Sequence, residues 1–100
     1  MNLAEFRTKI KIELQNGEKR IAYMHIKNQE VCGGMCYSKD EALLKCEEII
    51  KSPEYDKNSE LNIAVYKDNE IEILGTSEIL LSLNLISMIE YLSATTTFCG

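Results

Sequence analysis

The chain has one proline and five glycines in 100 residues, which excludes collagen-like, mucin-like and proline-rich linker classes. It has a single histidine, His25, so a centre built from several histidines or a relay between two of them cannot form. There is no phosphate loop of the G-x-x-x-x-G-K-[ST] type, no G-x-G-x-x-G, no G-x-S-x-G and no H-E-x-x-H. The N-terminus, Met1-Asn2-Leu3-Ala4-Glu5-Phe6-Arg7, lacks the basic and apolar regions of a secretory signal. The most apolar stretch, Ile79 to Leu92, is interrupted by Ser82, Asn84, Ser87 and Glu90 and is too short to cross a bilayer. A cytoplasmic protein with reduced thiols is the expectation.

What is present is an ordinary globular balance, with 45% hydrophobic and 27% charged residues. A chain of this length makes one domain, here 1–100, with Ala94 to Gly100 read as a flexible small-residue tail. One modest core fits; a deep substrate cavity does not. Charge is divided unevenly. Met1 to Pro53 carries nine basic and eight acidic residues, whereas Glu54 to Gly100 carries two basic and eight acidic ones. An acidic half repels nucleic acid and attracts basic protein surfaces. Glu54, Asp56, Glu60, Asp68, Glu70 and Glu72 are therefore the candidate partner-binding residues, facing a host protein with a basic surface.

Phe6, Thr8, Ile10, Ile12 and Leu14 alternate with charged residues, which predicts a half-buried strand. Asn16-Gly17 then predicts a hairpin turn, with Arg20 to Lys27 as the returning strand. A third short strand fits Val31 to Tyr37, with a bend or bulge at Gly33-Gly34 as the alternative. Ser38-Lys39-Asp40-Glu41 is a capping box opening a helix that Pro53 stops. Leu61, Ile63 and Val65 begin a second hairpin, turned at Asp68-Asn69 and returned by Ile71 and Ile73. Thr76-Ser77 is expected to cap a last helix reaching Leu92. The expected class is α+β: one antiparallel sheet of two hairpins, with room for a fifth short strand, packed with two helices in the order β-β-(β)-α-β-β-α.

Cys32, Cys36, Cys46 and His25 could supply four zinc ligands, but Cys32 and Cys36 are separated by three residues, outside the C-x2-C or C-x4-C spacing of zinc knuckles. Buried free thiols are the better reading, with no metal and no cofactor. A Cys–His nucleophilic pair lacks an orienting group, so no catalytic residue is assigned and the chain is read as a non-enzyme. The first hairpin would carry Arg7, Lys9 and Lys11 beside Tyr23, His25 and Lys27, an alternative face for RNA or a nucleotide. Ten of the fourteen residues from Ile79 to Leu92 are apolar or Tyr, more than one core-facing stripe needs. Taking Leu81, Leu85, Met88 and Leu92 as the core stripe leaves Ile79, Leu83, Ile86 and Glu90 as the interface of a homodimer.

The segment Gly33-Gly34-Met35-Cys36-Tyr37-Ser38-Lys39-Asp40-Glu41-Ala42-Leu43, followed by Cys46-Glu47-Glu48-Ile49-Ile50, resembles HicB antitoxins. That resemblance implies a three-stranded meander ahead of the first helix and a toxin as partner, although the DNA-binding tail of many such antitoxins has no counterpart here. In size, acidity and lack of motifs the chain also resembles phage-encoded inhibitors of bacterial defence, including anti-CRISPR proteins. Lysine, isoleucine and asparagine are abundant, the composition of AT-rich coding sequence, which suits a phage or mobile-element source.

Overall fold

The structure is a computed structural model and describes residues 2–96. Four antiparallel strands in the order β2-β1-β3-β4 form one sheet covered by helices, an α+β fold. The elements are α1 (Leu3–Asn16), β1 (Ile21–Lys27), β2 (Glu30–Cys36), α2 (Lys39–Lys51), β3 (Glu60–Lys67), β4 (Glu70–Leu74), α3 (Thr76–Ser82) and α4 (Met88–Thr96).

The first element corrects the strand expected over Phe6 to Leu14. Phe6, Ile10 and Leu14 are buried, while Thr8 and Ile12, which only a period of two would bury, are exposed. Residues four apart satisfy both periods, and the tie is broken locally. Asn2 caps the helix by accepting the Glu5 N–H at 2.9 Å, a device a strand has no use for. Gly17 closes the helix C-terminus, its N–H reaching the Glu13 carbonyl at 2.8 Å, and so makes no hairpin.

The first hairpin is instead β1–β2. It turns at Asn28-Gln29, whose φ values of 52° and 69° are those of a two-residue type I′ turn. The segment left open between strand and bend is therefore a strand. β3–β4 turns at Asp68-Asn69 as expected, with φ of 55° and 64°.

Ser38 caps α2 by accepting the Glu41 N–H at 3.1 Å, and the Glu41 carboxylate accepts the Tyr37 N–H at 3.0 Å. Thr76 does not cap α3; Gly75 holds that position. The Thr76 hydroxyl instead accepts the Leu61 N–H at 2.9 Å, fixing the start of α3 to β3.

The helix expected up to Leu92 is broken. Asn84 takes φ 59°, and Ser87 with Glu90 forms a second capping box that restarts the chain as α4. α4 runs to Thr96, inside the segment expected as tail; residues 97–100 lie outside the described residues.

The sheet is buried on both faces, giving two small cores. On one side α1 packs Phe6, Ile10 and Leu14 on Ala22, Met24, Ile26, Val31 and Ala64. On the other, α2 and α3 pack Ala42, Cys46 and Ile79 on Cys36, Leu61 and Ile63. No helix of the described residues is long and apolar enough to cross a membrane.

Candidate functional site

His25, Ser59, Tyr55, Asp56 and Lys27 form a polar cluster where the connector after α2 meets the end of β1. His25 Nε2 lies 2.8 Å from Ser59 Oγ, and the Ser59 hydroxyl donates to the Asp56 carbonyl. A hydroxyl has one proton, and here it points at a carbonyl. The imidazole must therefore donate to Ser59 through Nε2–H, which fixes the tautomer. That is the reverse of a base taking a proton from a nucleophile. The bond staples the connector to the sheet. Tyr55 stands beside the imidazole with ring centroids 6.0 Å apart, and Lys27 pairs with Asp56 at 3.8 Å. Asp56 also accepts the Asn58 N–H at 2.8 Å, closing a local turn. His25, Lys27 and Tyr55, with Ile49, Ser52 and Glu54, line a shallow cleft of about 360 Å³.

Burial holds His25 below its ordinary value of 6.5; the Lys27 ammonium adds to the effect and Asp56 partly opposes it. In the unfolded chain this imidazole takes a proton as pH falls through about 6.5, while the folded one stays neutral to lower pH. The unfolded state then binds more protons, so the contribution is full above that pH and is lost as pH falls towards the lowered folded value. Melting temperature is expected to drop more steeply between about pH 7 and pH 5.5 in the wild type than in His25→Gln. Equal slopes in the two proteins would remove this cause.

The thiols divide into two kinds. Cys36 and Cys46 are buried, and burial pushes both up, Cys46 to about 11. They pack as neutral apolar side chains. Cys32 is exposed and stands opposite His25 in the β1–β2 register. Cys99 lies outside the described residues. Among the described residues no three acids, histidines or cysteines cluster as a metal site.

The six basic-face candidates do not share a surface. Arg7, Lys9 and Lys11 lie on α1, on one side of the sheet. Tyr23 and His25 point to the side covered by α2, and Lys27 ends β1 there. The strand expected at Phe6 to Leu14 would have brought them together; the helix separates them.

The acidic candidates fall into two groups. Glu54 and Asp56 lie in the connector before β3 and Glu60 at its start, while Asp68, Glu70 and Glu72 lie at its far end and along β4. Glu60 and Asp68 stand eight positions apart along the strand, about 26 Å.

The expected dimer stripe is also inverted. Ile79 is 0% exposed and belongs to the core beneath α3, Leu83 and Ile86 are half-buried, and Glu90 caps α4. The residues left in solvent are Leu85, Met88, Ile89 and Leu92, with Ile89 77% exposed. The turn at Asn84 resets the helical phase, so a single wheel drawn through 79–92 assigns the two stripes the wrong way round. The signal was legible in Ser87-x-x-Glu90. A second exposed group, Ile12 and Tyr37, flanks the free edge of β2, with the Lys19 ammonium 4.8 Å from the Tyr37 ring centre.

No family model, no curated protein and no solved structure matches this chain. The meander implied by the HicB resemblance differs from the fold, since α1 and two strands, not three strands, precede α2.

Proposed function

We propose that this is a non-enzymatic interaction protein that docks on a host protein presenting an apolar patch ringed by basic residues, as a phage or mobile-element inhibitor of a defence system would. The observation that carries the reading is α4. Met88, Ile89 and Leu92 recur at helical spacing on α4, which packs on α3, and all three are exposed, with Leu85 exposed in the bend just before the helix. The charge of the partner follows from the same half of the chain. From Asp68 to Gly100 there are five carboxylates and no lysine or arginine. An apolar helix face set in an acid-only segment suits a partner with the opposite rim.

The test is capture of the host partner by tagged full-length protein after nuclease treatment, with wild type beside two variants. One stoichiometric partner is expected, lost from Met88→Asp/Ile89→Asp. Asp68→Asn/Glu70→Gln/Glu72→Gln is expected to weaken it by about tenfold at low salt. Capture indifferent to both variants, or abolished by nuclease, overturns the reading.

A further inference from the structure

The two edges of the sheet are guarded differently. β4 carries Glu70 and Glu72, with Asp68 at its turn, charges that discourage strand pairing. β2 carries none from Val31 to Tyr37. The β1–β2 register and its two-residue turn make Lys27 and Glu30 a hydrogen-bonded pair. Cys32, Gly34 and Cys36 then bond inward to β1, while the N–H and C=O groups of Gly33 and Met35 point outward. The turn end of this edge is already taken, because Asn2 bridges to Glu30 and the Leu3 N–H reaches the Gln29 carbonyl at 3.1 Å. What stays open is short, neutral and flanked by Ile12 (54% exposed) and Tyr37 (67% exposed). Beside it, Ile12, Met35 and Tyr37 line a groove of about 480 Å³ against the C-terminal end of α1.

We infer that the free edge of β2 pairs antiparallel with β2 of a second copy of this chain, about a two-fold axis at Gly34. The register follows from the open groups. With Gly34 opposite Gly34 of the second copy, Gly33 and Met35 fall opposite each other across the axis. All four outward groups of each copy are then satisfied in two hydrogen-bonded pairs. In the same register Tyr37 of the second copy stands opposite Val31, so its strand ends before it would meet Asn2. An axis at Gly33 would drive Cys36 of the second copy into the Asn2 bridge. Like pairs with like because the edge is neutral, whereas a basic partner is drawn to the acidic half. The four-stranded sheet becomes a continuous one across both copies, burying the apolar flank of Ile12, Met35 and Tyr37. This surface is separate from α4, so it can hold whether or not the partner reading does.

The full chain should show a mass by light scattering that rises with concentration from 11.4 kDa towards twice that value. Met35→Pro removes an outward N–H, which an edge strand tolerates, and should hold the monomer mass with an unchanged circular dichroism spectrum. In a Cys32→Ser/Cys99→Ser background, Gly34→Cys places its thiol opposite its own copy. Mild oxidation should then give a covalent dimer, and adding Met35→Pro should abolish it. A wild type that keeps the monomer mass across the micromolar range overturns the inference, and so does a Gly34→Cys protein that forms no covalent dimer. A dimer that survives Met35→Pro but is lost in Ile89→Asp overturns it in favour of α4.

Discussion

Gly33→Ala is expected to lower the stability of the protein by about 3 kcal/mol, while Gly34→Ala next to it stays within about 0.5 kcal/mol of wild type. A Cβ on Gly33 would collide with the Tyr23 carbonyl oxygen, and would lie 3.0 Å from that carbonyl carbon and 3.1 Å from Met24 Cα. All three atoms are backbone of the neighbouring strand, so no side chain can swing away. Relief requires β1 and β2 to part where Tyr23 pairs with Gly34 and Met24 with Gly33. At Gly34 the neighbour is the Tyr23 ring, 3.5 Å from the added carbon, an ordinary van der Waals contact. Alanine there also restricts the unfolded chain, which offsets any small loss. Urea unfolding midpoints of the three proteins at one fixed concentration check this. Equal losses at both glycines would mean that the strands do not approach as described.

The contrast shows what the sequence carried and what it did not. The Gly33-Gly34 pair was legible as an irregularity, but which glycine is obligatory depends on a contact with β1, ten residues earlier in the chain. Elements with their own local device were readable: Ser38 and Glu41 for α2, Pro53 after it, and Asp68-Asn69 for the second hairpin. α1 was misread because Phe6, Ile10 and Leu14 fit a strand and a helix equally well. The deciding residue, Asn2, lay outside the alternating run. That one error moved Arg7, Lys9 and Lys11 from a sheet face to a helix and so dissolved the basic surface. His25 and Ser59 could not be paired from sequence at all, since 34 residues separate them and only the fold closes the gap.

The sharpest test of the corrected C-terminal half compares two isoleucines ten positions apart. Ile79→Asp is expected to leave the chain unfolded at room temperature, whereas Ile89→Asp should change stability by no more than about 0.5 kcal/mol. Ile79 is fully buried against β3 and α2. Losing its side chain leaves a cavity worth about 3 kcal/mol, and the carboxylate adds several more because no cation lies in that apolar cluster. A domain of this size has a total stability of about 5–10 kcal/mol, so the sum removes most or all of it. Ile89 meets solvent over most of its surface, and an aspartate there replaces water-exposed methyl groups with a hydrated charge. Its expected effect is on partner capture alone. Had 79–92 been one straight helix with Ile79 on its outer stripe, the tolerances would be exchanged: Ile79→Asp would fold and lose self-association, and Ile89→Asp would be the damaging change. Thermal melts of the two variants therefore decide whether the chain turns at Asn84, and with it which face of the C-terminal segment is free to bind.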